Sequence, residues 1–291
     1  MDCDDELLLA RLSQLEARLE SLGNTLAAQD QRRCIYLGHD RLLIESRTGL
    51  RLYLDTRDIV LTPLLALKGD WEPEVTHALR RVIRPGMTFI DVGANVGYFT
   101  LIAAQILHGN GQIHSFEADP QMHQLLVDNI NLNWFFEGVH AHQKAVYSEE
   151  TNLRFHKRLK YQANSSIAEL TADELASIND VSESFEVEAL RLDHYIEQAA
   201  AGRVDVIKID VEGAEPRVFQ GMAQTIENNP DLRIICEWSP SQLYQTGSSP
   251  TEFLAILRDY GFLIRTVEAP ETILEPERLL DMSHNNLLLS R

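Results

Sequence analysis

Cysteine, positive charge and long apolar runs are all scarce in this chain, and each scarcity closes off a class of protein. Of 291 residues only Cys3, Cys34 and Cys236 are cysteine. They lie far apart without a CxxC pair, so neither a disulfide framework nor a zinc cluster is available. Lys and Arg number 26 against 44 Asp and Glu, a formal net charge of −18, which opposes nucleic acid or an anionic membrane surface as partner. No apolar stretch reaches the roughly 20 residues of a membrane span. The start, MDCDDELLLARL, lacks the basic end of a signal peptide. A soluble cytoplasmic protein is therefore expected.

What is present divides into three parts. Leucines at positions 8, 12, 15, 19, 22 and 26 step by four and three among polar neighbours. This predicts a coiled-coil helix over 1–30, and because a lone helix of about 20 residues is marginal in water, it predicts a homo-oligomer through these heptads. Over 31–85 the period changes to two. CIYLG, LLIES and GLRLYLD read as a short β-meander, followed by a turn at Gly69-Asp70-Trp71-Glu72-Pro73 into a capping helix.

From 86 to 291 strands alternate with helices. Strands are expected at 88–92, 112–117, 140–146, 204–210, 232–238, 262–267 and 286–290, and helices at 96–107, 120–131, 216–228 and 250–260. Such alternation implies a mostly parallel sheet covered on both faces. The last two strands have no helix between them and are expected to pair antiparallel. An insertion at 147–203 interrupts the rhythm, with a small helix opened by a capping box from Thr171 to Glu174.

The stretch FIDVGANVGYFT, Phe89 to Thr100, reads as a strand, a tight turn and a helix N-terminus, a form suited to a charged small molecule. Its turn lacks the third glycine of the GxGxxG that admits a pyrophosphate. Asp91 stands where a phosphate is repelled and an amino group welcomed, which favours S-adenosylmethionine over NAD. Glu117 follows Gly97 by twenty residues (117 − 97), a spacing at which an acid accepts ribose hydroxyls in either kind of site. VIKIDVEGAE, Val206 to Glu215, crowds Asp210, Glu212 and Glu215 at a strand exit behind Lys208. That many acids suit a sulfonium cation and a hydroxyl awaiting deprotonation better than hydride transfer. Lys208 can equally serve to neutralise an acid across the sheet.

IDVGANVGYFT, FEADP with the spacing of Leu125, Asn129 and Asn133, Ala145-Val146, LRLD and above all IKIDVEGAE resemble the FkbM-type S-adenosylmethionine-dependent methyltransferases, and Gly69-Asp70-Trp71-Glu72 resembles the family's entry segment. The resemblance runs from about residue 50 to the end. It implies a class I methyltransferase (Rossmann-like) α/β fold with a seven-stranded, mostly parallel sheet whose last strand is antiparallel. It also implies O-methylation of a hydroxyl on a sugar, glycan, glycolipid or related natural product. By motif match, Asp91, Gly93, Ala94, Asn95, Gly97 and Tyr98 hold the methionine part of the donor, Glu117 and Ala118 the ribose, and Lys144 and Ala145 the adenine edge. Asp210 faces the methyl group or the amine.

Transfer to oxygen needs a base, and Asp210, Glu212, Glu237 and His284 are the candidate catalytic residues. No metal is expected, although Asp210, Glu212 and Glu237 form a set that a divalent ion could use. Trp71 and Trp238 are candidates to stack on a sugar acceptor. Two other classes stay open on the residues alone: an NAD(P)-dependent oxidoreductase, and a non-catalytic scaffold of a glycan-synthesis complex.

Overall fold

The computed structural model describes residues 34–199 and 202–291; the heptad segment 1–30 lies outside the described residues. Strands β1 (Cys34–Gly38), β2 (Arg41–Glu45) and β3 (Arg51–Asp55) form an antiparallel sheet in that order. The turn between β1 and β2 places His39 and Asp40 at φ 49° and 57°, the doubly left-handed geometry that matches strand twist in a tight hairpin. Two asparagines then tie β3 to the helix Pro120–Leu132. Asn129 accepts from Tyr53 N at 2.6 Å and donates to Tyr53 O at 3.1 Å, while Asn133 accepts from Arg51 N at 2.9 Å. The motif asparagines thus act as a substitute strand along an otherwise open edge.

The main sheet uses β4 (Thr88–Val92), β5 (Gln112–Phe116), β6 (Val139–His142), β10 (Val206–Ile209), β11 (Arg233–Trp238), β12 (Leu263–Thr266) and β13 (Asn285–Ser290). Their order is β12-β13-β11-β10-β4-β5-β6, with β13 antiparallel to both neighbours and the other pairs parallel. Every residue of β4 is buried, because helices cover both faces. Phe89 packs with Leu101, Ile102 and Leu126 on one side; Ile90 and Val92 pack with Ile207, Val218 and Phe253 on the other.

Most element ends shift by one or two residues, and three elements differ in ways that bear on the site. The strand anticipated over 140–146 breaks after His142, and β7 (Ala145–Val146) leaves the main sheet. It pairs with β9 (Ser182–Leu190) in a second three-stranded sheet with β8 (Thr151–Arg158). The helix anticipated over 216–228 divides into Glu215–Gly221 and Ala223–Asn228. The start of the insertion crosses there, and a Cβ on Gly221 would sit 2.0 Å from the Tyr147 carbonyl oxygen. The first helix starts at Tyr98, two residues late, because Gly97 caps it at φ 89°. Helices at Leu61–Lys68, Leu192–Gln198 and Pro240–Gln245 were not anticipated. Inside the insertion the capping box forms: Thr171 Oγ1 accepts from Glu174 N, and Glu174 accepts from Thr171 N at 2.7 Å.

Candidate active site

The carboxyl ends of β4, β5, β10 and β11 open into a cavity of about 320 Å³, the lower end of the range that holds small ligands. Gly93, Ala94 and Asn95 form one wall and Glu117 and Ala118 a second. Ala145 of β7 lines it too, the insertion adds Phe155, Asn164 and Ser165, and Trp71 and Glu72 enter from the segment before the first main strand.

Gly93 is where the two central loops meet. At φ 79°, a Cβ would lie 1.8 Å from the Asp210 carbonyl oxygen, so only glycine allows β4 and β10 to end in contact. Glu117 receives Asn95 N on one oxygen at 2.7 Å and Asp119 N on the other at 2.8 Å. Burial, reinforced by Asp119, pushes its carboxyl up to about 7 despite these bonds. Asp119 in turn caps the helix Pro120–Leu132 and takes the buried Lys157 ammonium of β8 at 2.8 Å, fastening the insertion to the Glu117 loop.

At the other end of the cavity the acids gather. Lys208 Nζ donates to Asp210 at 2.9 Å. Glu212 accepts from Asn164 Nδ2 at 3.1 Å and from Gln242 Nε2, and Glu237 meets His284 Nε2 at 2.9 Å. Burial and then the Glu237 charge drive the Glu212 carboxyl well up; burial and then Asp210 raise Glu237; the bond to Glu237 raises His284. One oxygen each from Asp210, Glu212 and Glu237 lies within 4.8 Å of the others, and Glu237 Oε2 is buried with no hydrogen-bond partner among the described residues.

Several expected residues stand elsewhere. Asp91 does not line the cavity. It lies wholly buried within β4, accepting from Thr100 Oγ1 at 2.6 Å with Lys208 4.0 Å away, so it stands as a counter-charge to that ammonium, and its other oxygen has no hydrogen-bond partner among the described residues. Gly97 is also outside the lining; its missing side chain makes room for Leu126, whose Cδ1 would be 2.5 Å from a Cβ. Trp238 is fully buried, stacked on Phe253 at 5.8 Å and donating from Nε1 to Leu279 O at 2.9 Å. Adjacent strand residues face opposite sides, so with Glu237 in the cavity Trp238 must be in the core. Glu215 closes its own loop by accepting Val211 N and Gly213 N at 3.0 and 3.2 Å. Lys144 sits at the rim, paired with Glu188 at 2.7 Å. Tyr98 and Trp71 do line the cavity. Among the lining residues without an assigned role in the sequence are Asn164, visible there as a polar spot in the insertion, and Glu72, visible there as part of the turn before Pro73.

A seven-stranded sheet in this order, with one reversed strand and an acid-rich cavity over the carboxyl ends of its central strands, defines the class I methyltransferase fold. Residues 91–264 match the methyltransferase FkbM domain. The chain belongs to that family and is an S-adenosylmethionine-dependent methyltransferase. Among similar proteins is the 31-O-demethyl-FK506 methyltransferase FkbM of Streptomyces tacrolimicus, 24% identical over 65% of this chain and 77% of that one. Methyltransferase sdnD of Sordaria araneosa is 26% identical over 60% of this chain and 72% of its own length. The crystal structure of methyltransferase FkbM from Methylobacillus flagellatus superposes with a TM-score of 0.42 at 13% identity, covering 77% of this chain and 51% of that chain.

Proposed function

We propose that the protein moves a methyl group from S-adenosylmethionine to a hydroxyl of a small molecule, a sugar, glycan, glycolipid or related natural product. The observation that carries this reading is the acid cluster. Asp210, Glu212, Glu237 and Glu72 share one end of the cavity with Lys208 and His284 as the nearby cationic partners, so a bound cation is favoured there. The orphaned oxygen of Glu237 fits the same need. When bound, the donor supplies an electrophilic methyl on a cationic sulfur. Gly93, Ala94 and Asn95 would hold its amino-acid part, Glu117 and Ala118 its ribose, and Ala145 with Lys144 its adenine edge. Trp71 offers the acceptor a flat apolar face.

The net charge of −18 supports a small acceptor over a polyanion. No helix of the described residues is long and apolar enough to cross a membrane, and we place the protein in the cytoplasm. The leucine heptads of 1–30 support self-association, measurable by light scattering of the full chain.

Calorimetric titration tests the donor assignment. S-adenosylhomocysteine is expected to bind and NADH is not. Binding of NADH alone would turn the reading to an oxidoreductase, and binding of neither to a scaffold.

A further inference from the structure

We infer that Glu72 is the base that takes the proton from the acceptor hydroxyl. This rests on the methyltransferase reading above. Each of the other three acids at that end of the cavity already holds a partner: Asp210 takes Lys208, Glu212 takes Asn164 and Gln242, and Glu237 takes His284 on one oxygen while its other oxygen is buried without a partner among the described residues. Glu72 occupies the N-cap of the helix Pro73–Val82, where an acidic side chain commonly accepts the first free backbone N–H groups. Here it makes no such cap and lines the cavity instead. Among the described residues, no hydrogen bond or ion pair engages its carboxylate.

The backbone shows that this placement is imposed. Glu72 has φ 41° and ψ 68°, the left-handed region that a glutamate seldom enters, and the following proline disfavours helical geometry in the residue before it. Non-glycine residues held this way gather at functional sites because the surrounding structure fixes them. The segment is fixed on both sides: Gly69 N bonds Leu65 O at 2.9 Å, and the Glu72 carbonyl accepts from Thr76 N at 3.1 Å.

The charged groups that act on Glu72 are Lys208 on β10, Asp210 just past its end, Glu237 on β11 and His284 before β13. Burial, then repulsion from Asp210, lifts its carboxyl to about 7 against the pull of Lys208. A base of that strength is half ionised near neutrality and still strong enough to remove a proton. The chemistry balances as follows. The hydroxyl proton passes to a Glu72 oxygen while the hydroxyl oxygen forms a bond to the methyl carbon. The carbon–sulfur bond breaks with its electron pair going to sulfur, leaving methyl ether and S-adenosylhomocysteine, and Glu72 then loses its proton to water.

The experiment compares wild type with Glu72→Gln and Glu72→Asp on three readouts. In calorimetry with S-adenosylhomocysteine, all three proteins are expected to bind within about threefold of one another. In labelled-methyl transfer from S-adenosylmethionine into a small-molecule cell extract, Glu72→Gln is expected to lose about 100-fold or more, the usual share of a positioned base. Wild type should gain rate as pH rises through 7, a dependence that Glu72→Gln lacks. In carboxyl-carbon NMR, which needs no acceptor, the resonance that vanishes in Glu72→Gln should titrate near 7. Titration in the ordinary carboxylate range, or a Glu72→Gln rate within tenfold of wild type, overturns the assignment while donor binding keeps the methyltransferase reading. Absence of S-adenosylhomocysteine binding in wild type overturns both.

Discussion

Replacing Lys208 by methionine removes the charge that the centre of this fold is arranged around. The ammonium is 4% exposed, 2.9 Å from Asp210, 4.0 Å from Asp91 and 5.0 Å from the centre of the Phe99 ring. Burial works against its charge, yet Asp210 and Asp91 hold its proton affinity above the usual lysine range. Methionine keeps the volume and the contact with Phe99, so the loss is electrostatic. Asp210 is 28% exposed and can be rehydrated; Asp91 is not exposed at all and keeps only Thr100. Breaking a buried pair from one side costs about 3–5 kcal/mol, mostly from the stranded partner. Urea unfolding at neutral pH should register a loss of that order. Adding Asp91→Asn should return at least a third of it, and because burial raises the Asp91 carboxyl the deficit should shrink as pH falls and the stranded Asp91 takes up a proton. A loss under about 1 kcal/mol, or one that Asp91→Asn leaves untouched, would refute the counter-charge account.

Two further outcomes follow from the same geometry. Gly93→Ala should destabilise the protein by about 2–5 kcal/mol in urea, combining a left-handed backbone with a clash. Gly49→Ala, at φ 78° with nothing within 4 Å, should show the backbone part alone, and equal losses would refute the clash. Glu72 and Glu117 are held near 7 and Glu215 near 8, above the unfolded value of about 4.5. Between those limits the unfolded chain binds fewer protons at these three acids, so their contribution to stability is full below about pH 4.5 and declines as pH rises to about 8. Burial holds His114 and His142 down at about 4, which opposes that decline below about 6.5, so thermal melts of ligand-free protein should fall between about pH 6.5 and 8; a rise there would contradict the burial of these acids.

Much of this could be read from residues in order. The strand, turn and helix at 88–107 declare themselves through apolar β-prone residues, paired glycines and a helical continuation. The box at Thr171 does so through capping chemistry alone. Orientation within buried strands is harder to read. In β4 every position is inside, so there is no polar–apolar alternation to show that Asp91 is left out of the cavity lining. For Glu237 and Trp238 the period of two already excludes a shared face. The escape of β7 to another sheet depends on two residues and a long-range partner, which no local pattern encodes. Glu72 shows in the sequence only within the Gly69-Asp70-Trp71-Glu72 segment; its place in the cavity depends on β10 and β11 arriving beside it from more than a hundred residues away in the chain.

The hairpin of β8 and β9 pairs Thr151 with Ala189 at its base and Arg158 with Ser182 near its tip. Its base rests on β7, its middle on the Lys157–Asp119 pair, and only the stretch beyond Arg158 brings Asn164 and Ser165 over the cavity. The hairpin is therefore anchored along its length while its tip overhangs the cavity, held there by the bond from Asn164 to Glu212, so the insertion and the loop after β10 share one wall.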